Sequence, residues 1–118
     1  MKQWLLLAAT LCASSLAIGA SFDCSKAATY AEKTICANAQ LGKLDEALSS
    51  NYGNMLTGNL GDGGKDLKRE QREWLHKRNA CHSEQCLLDV YRSRIDEICD
   101  TPVVTGVHPD CVMASDVR

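Results

Sequence analysis

Asn79-Ala80-Cys81-His82-Ser83-Glu84-Gln85-Cys86-Leu87-Leu88 is the stretch whose reading decides the fold. On an unbroken helix the step from Cys81 to Cys86 rises about 7.5 Å. A disulfide rarely tolerates Cα atoms more than about 7 Å apart. Either the helix runs on and both cysteines seek distant partners, or the chain breaks between them and they pair. His82-Ser83 is a weak helical context, and Ser83 is a good N-cap for the next helix. The break is favoured, and with it a Cys81–Cys86 bridge clamping a turn between two helices.

Outward from that turn the pattern is helical on both sides. Before it, Leu67, Gln71, Trp74, Leu75 and Arg78 make one stripe of a helix starting near Lys65 or Asp66. After it, Leu87 or Leu88, Tyr91, Ile95, Ile98 and Cys99 recur at helical spacing, and Pro102 cannot continue that helix. Further upstream, Gly58 to Gly64 holds four glycines and reads as a flexible loop. Leu41, Leu44, Leu48, Tyr52, Met55 and Leu56 place a longer amphipathic helix ahead of that loop. A short first helix starts after Thr29, with Tyr30 or Ala31, Ile35 and Ala39 near one face and Asn38 or Gln40 at its end. Thr29 and Glu32 there have the spacing of a capping box. Ser21 to Ala28 reads as an extended or irregular lead-in. The expected fold is all-α: a small four-helix bundle, one helix short and three longer, stapled by disulfides and ending in an irregular tail.

The N-terminal residues bear on compartment. Lys2 precedes an apolar run from Trp4 to Ile18, and small residues stand at Gly19 and Ala20 before Ser21. This is the layout of a secretory signal peptide cut near Ala20-Ser21, and it is too short to anchor a chain in a bilayer. Neither Cys12 nor Cys24 sits in a lipoprotein context. The expected organisation is a signal peptide over 1–20, a helical domain over 21–100 and a tail over 101–118, in a periplasmic or secreted protein without a membrane anchor. Loss of Lys2 moves the formal charge from −2 to −3, and so mild an acidity argues against a nucleic-acid partner. Of seven cysteines, six lie beyond the leader: Cys24, Cys36, Cys81, Cys86, Cys99 and Cys111. An even number in a small exported chain reads as a disulfide framework. An extended lead-in can fold back along the first helix to join Cys24 to Cys36, which leaves Cys99 and Cys111 to tie down the tail.

No catalytic constellation emerges. His76, Cys81, His82 and Cys86 are the obvious metal guess, but an oxidising compartment competes for the thiols. Asp45-Glu46 and Asp96-Glu97 are adjacent pairs, about 100° apart on a helix, and do not converge on one atom. Gly64-Lys65-Asp66 lacks the ending of a phosphate loop. Neither a cofactor nor a metal is expected, and the chain does not read as an enzyme. Asp45, Arg78 and Arg94 lie beside apolar stripes on three different helices, where an Arg–carboxylate pair crossing the bundle would fix its register.

Phe22-Asp23-Cys24, Glu32-Lys33, Ile35-Cys36, Leu44-Asp45 and Tyr52 are followed by Glu70-Gln71-Arg72, Trp74-Leu75, Arg78-Asn79-Ala80-Cys81, Cys86-Leu87, Tyr91 and Arg94-Ile95. In order, spacing and residue type this set resembles the LprI N-terminal domain family, small exported helical proteins associated with lysozyme inhibition. The resemblance covers roughly Phe22 to Ile98. It implies that Cys24, Cys36, Cys81 and Cys86 are the family's four cysteines, while Cys99, Cys111 and the tail lie beyond the pattern. Asp45, Tyr52, Trp74, Arg78, Tyr91 and Arg94 look architectural within it. The function it implies is a protein-binding inhibitor of lysozyme or a related cell-wall lytic enzyme, blocking by shape and charge. The loop Gly58 to Lys65 is the candidate contact, with Asn59, Asp62 and Lys65 as its polar residues and Asp62 able to meet a basic rim. The alternative is a periplasmic immunity or accessory protein for a secreted effector, or an envelope stress or structural protein.

Overall fold

The fold is that of a computed structural model, which describes residues 20–118. The leader expected over residues 1–20 lies, Ala20 apart, outside the described residues. Four α-helices carry the structure: α1 over Tyr30–Ala37, α2 over Ala39–Met55, α3 over Lys65–Asn79 and α4 over Glu84–Cys99. Short 3-10 turns occur at Cys24–Lys26 and Ala114–Asp116. The domain is an all-α, disulfide-stapled four-helix bundle, as the periodicity predicts.

Local chemistry sets each boundary. Thr29 and Glu32 form a reciprocal capping box, each side chain bonding the other's main-chain N–H at 3.1 Å. Asn38 ends α1 and caps α2, accepting from the Leu41 N–H at 3.0 Å. That break leaves Ala39 exposed, because α1 stops before it can extend the Ala31–Ile35 face. Ser83 caps α4 through the Cys86 N–H. Helix α3 begins differently. Gly64 holds a left-handed φ of 84°, and a Cβ there would meet Leu56 Cδ2 at 2.7 Å. The left-handed backbone is what favours glycine, since Leu56 could yield at its tip, and the missing cap is supplied by Asp62, whose carboxylate accepts from the Gly64 and Asp66 N–H groups at 2.8 and 2.9 Å.

The core forms where the four apolar stripes meet. Ala31 and Ile35 of α1, Leu41, Leu44, Leu48 and Met55 of α2, Leu67 and Trp74 of α3, and Leu87, Tyr91, Ile95 and Ile98 of α4 are all buried. Helix α4 packs most extensively on α2. Leu75, assigned to the α3 stripe from sequence, is instead exposed. It comes one helical step of about 100° after Trp74, so only one of the two can face inward.

Three bridges join sequence neighbours: Cys24–Cys36, Cys81–Cys86 and Cys99–Cys111, with Cα separations of 5.9, 5.6 and 5.5 Å. The break between α3 and α4 brings Cys81 and Cys86 within bridging distance, inside the span an unbroken helix would have kept open. The loop and the tail are more tightly fastened than their composition indicates. Asn59 and Thr105 form an isolated antiparallel bridge, with the Val104 N–H donating to the Asn59 carbonyl at 2.8 Å. Asn51, buried in α2, donates to the Val112 carbonyl at 2.8 Å and accepts from the Val112 N–H at 3.0 Å. Asp96 of α4 accepts from the Ala114 N–H at 2.8 Å. The tail is irregular in backbone yet held by side chains of two helices. Asn51→Ala removes both bonds to Val112, and a loss of about 2 kcal/mol is expected in urea unfolding with the bridges intact. Faster amide exchange at Val112 should accompany it.

Candidate functional site

Two acidic stripes lie on neighbouring helices. Asp66, Glu70, Glu73 and Lys77 recur at four- and three-residue steps along α3, and Asp89, Ser93, Glu97 and Asp100 do so along α4 and its C-cap. Packing of α3 beside α4 turns the stripes into walls. The first cleft, about 610 Å³, is lined by Glu70, Glu73, Trp74, Lys77, Asp89, Val90, Ser93, Arg94 and Glu97. A second cleft of about 420 Å³ is lined by Leu60, Asp62, Asp66, Leu67, Glu70, Glu97, Asp100, Thr101, Pro102 and Val104. Glu70 and Glu97 line both, so the two clefts adjoin and together make an acidic trough from the loop before α3 to the middle of α4.

Only Lys77 and Arg94 bring positive charge to the trough's lining. Arg94 is almost wholly buried, and its Nε donates to Gln71 Oε1 at 3.0 Å. Its Nη1 lies 3.4 Å from Glu97 and 3.7 Å from Glu70 on α3. An Arg–carboxylate contact thus joins α4 to α3. Nη2 is buried without a protein acceptor, so the cation is balanced from its Nε and Nη1 side alone. Arg69, a further cation of α3, is engaged by Asp66 at 2.7 Å and Glu73 at 3.7 Å. The trough therefore keeps a strong excess of negative charge, between walls that focus the field.

Of the three loop residues that the sequence points to, Asp62 lines the trough. The main-chain N–H groups of Asp66 and Gly64 hold its carboxyl below the usual carboxylate range. Asn59 turns away, donating to Thr105 Oγ1 at 2.7 Å and accepting from the Gly61 N–H. Lys65 is exposed at the first turn of α3 and does not line either cleft. The walls themselves, Glu70, Glu73, Asp89 and Glu97, are not among the residues that sequence reasoning picks out as a site. Their helical spacing is visible in sequence, but not the fact that the two stripes face one another.

Asp45, Tyr91, Trp74 and Arg78 converge at a second polar centre, inside the bundle. Tyr91 Oη donates to Asp45 Oδ1 at 2.7 Å, and burial, then the Asp45 charge, pushes the phenol's pKa upward. The Trp74 ring meets Tyr91 edge-on, with centroids 5.0 Å apart, and its Nε1 donates to the Val90 carbonyl. The Arg78 guanidinium lies over the rings of Phe22 and Trp74, and its Nε and Nη2 donate to Asn79 Oδ1. Asp45 thus pairs with a phenol and a main-chain N–H, not with an arginine. Tyr52 is half-buried at the edge of the core.

The six cysteines are consumed by the bridges. His82 lies beside the Tyr30 ring, and His108 is bonded to the Pro109 carbonyl. Among the described residues no group of three or more His, Cys, Asp or Glu is arranged to hold a metal ion, and no helix is long and apolar enough to cross a membrane. What the geometry offers is a rigid, acidic, open trough suited to a cationic surface.

Residues 24–98 match the family model described as "Lysozyme inhibitor LprI". Proteins named "Lipoprotein LprI" from Mycobacterium bovis and Mycobacterium tuberculosis are 28% identical over 95 residues, which is 77% of this chain and 47% of theirs. The chain spans about half the length of these curated relatives. No solved structure matches.

Proposed function

The chain belongs to the LprI family, and from that premise we propose that it is an exported, non-enzymatic inhibitor that binds a lysozyme or a related cell-wall lytic enzyme. The observation that supports this reading most is the trough between α3 and α4. A lytic enzyme that works on the anionic bacterial surface gains by carrying positive charge, and a concave acidic wall is complementary to such a protein. Asp62 extends the trough to the loop before α3, where Gly64 and the Asn59–Thr105 bridge fix the backbone in advance of binding. Preorganisation lowers the entropy lost on association. The bridges suit an oxidising compartment, and the Lys2 to Ala20 segment supplies the route to it.

Inhibition is tested with purified protein and lysozymes of several types, by turbidity loss of a cell-wall suspension and by calorimetry at low salt. Slowed lysis with stoichiometric binding is expected. Neither slowing nor binding for any of them would remove the reading. Glu73 and Asp89 are exposed wall residues outside the Arg94 ion pairs, so they report on contact without unsettling the core. Glu73→Lys with Asp89→Lys is expected to weaken binding roughly 10–100-fold at low salt, about 1.4–2.8 kcal/mol. The difference should shrink as ionic strength rises.

A further inference from the structure

The Ser21 main-chain nitrogen lies 2.5 Å from Asp45 Oδ2, while Tyr91 Oη occupies Oδ1. Asp45 is only 3% exposed. A carboxylate taken out of water is strongly penalised unless a charge compensates it. Yet among the described residues no lysine or arginine pairs with it. Arg78, the buried cation of the same region, is bonded to Asn79, lies over the Phe22 and Trp74 rings and faces the Tyr91 hydroxyl, without forming an ion pair with Asp45. As long as the Ala20–Ser21 bond is intact, both hydrogen bonds to Asp45 come from neutral donors.

Ser21 is also the residue before which the leader read from sequence would end. We propose that cleavage at Ala20–Ser21 completes the fold: the new α-ammonium of Ser21 becomes the missing counter-ion of Asp45, and the mature N-terminus locks into the bundle. A leader peptidase adds water across the peptide bond. The C–N bond breaks, Ala20 leaves as a carboxylate, and the Ser21 nitrogen takes up protons to become an ammonium. The segment is already positioned to deliver it. Phe22 sits beneath the Arg78 guanidinium, Asp23 caps the turn at Cys24–Lys26, and the Cys24–Cys36 bridge fastens that turn to α1. Ala20 is half-buried against the core. The inference rests on export and is independent of the inhibitory reading.

The chain is expressed with its whole leader in an exporting bacterial host, and intact mass with N-terminal sequencing is expected to place the first residue at Ser21. The purified protein is then acetylated at its α-amine in urea at pH 6.5 with bridges intact, where lysines react little, and refolded. Acetylation keeps the N–H donor and removes the charge. It is expected to lower Tm by roughly 10 °C in the wild type and by less than about 2 °C in Asp45→Asn. By NMR titration the Ser21 α-amine should lose its proton at least about one unit above the usual value of about 7.7–8.0. The difference in stability between free and acetylated forms is then full below the usual value and fades as pH rises through the raised one. The titratable and charged groups of this region are Asp45 on α2, which meets the amine, the neutral phenol of Tyr91 on α4 bonded to Asp45, Arg78 on α3 acting on Tyr91, and Glu32 on α1 acting with Arg78. A mature chain starting elsewhere, a Tm indifferent to acetylation, or an α-amine titrating at its usual value each overturns the proposal. If Asp45→Asn does not fold, the wild-type titration decides alone.

Discussion

Reduced and alkylated at all three bridges, the domain is expected to lose its cooperative helical fold at 25 °C. The sequence separations are 12, 5 and 12 residues. Loop-closure entropy for such spans amounts to about 3, 2 and 3 kcal/mol, or about 8 kcal/mol together. Small domains hold only about 5–15 kcal/mol in all, and beyond the leader this one has a single Phe, a single Trp and three Tyr to fill its core. Position adds to number. Cys24–Cys36 holds the lead-in that carries Ser21 and Phe22 to Asp45 and Arg78, and Cys99–Cys111 holds the tail against α2 and α4. Circular dichroism at 222 nm during heating checks this. A sharp transition should give way to a shallow slope. A reduced chain that still melts sharply within about 10 °C of the oxidised one would show that apolar packing suffices without the bridges.

Tyr91→Ala should be the most costly single substitution in the core, at about 4–5 kcal/mol. The side chain is fully buried, meets Trp74 edge-on and carries one of the two hydrogen bonds to Asp45. Tyr91→Phe separates these roles. It keeps the ring and leaves one oxygen of a buried carboxylate without its donor, a cost of about 1–3 kcal/mol. Urea unfolding with bridges intact measures both, and an unchanged slope confirms that the midpoint reports stability. Equal losses in the two variants would mean that the hydroxyl, not the ring, carries Tyr91's contribution.

Helix positions were legible because periodicity, caps and breakers agreed. The Thr29–Glu32 box, Ser83 and the Cys81–Cys86 spacing each encode a boundary within a few residues. Asn51 was not legible, since its partner Val112 lies 61 residues away and offers only main-chain groups. For the same reason the tail read as loose. Asp45, Arg78 and Arg94 were recognisable as inward polar residues from their place beside apolar stripes. Their partners were not, because pairing depends on how helices are turned relative to one another. Arg94 reaches across to Glu70, while Asp45 takes a phenol and a main-chain nitrogen. The trough poses the same difficulty on the surface. Each wall is written in one helix's spacing, and the concavity exists only once two helices are side by side.

The placement of Cys111 has a mechanical consequence. Load applied anywhere beyond it passes through the sulfur bridge into the last residue of α4, and so into the helix packed most extensively on α2. The hydrogen bonds that hold the tail to Asn51 and Asp96 can give way under tension while the covalent path stays intact. Pulling from the C-terminal side therefore peels a few residues and then meets the centre of the bundle. Attachment there, to a surface or a fused protein, would leave the trough and the contact of Ser21 with Asp45 undisturbed.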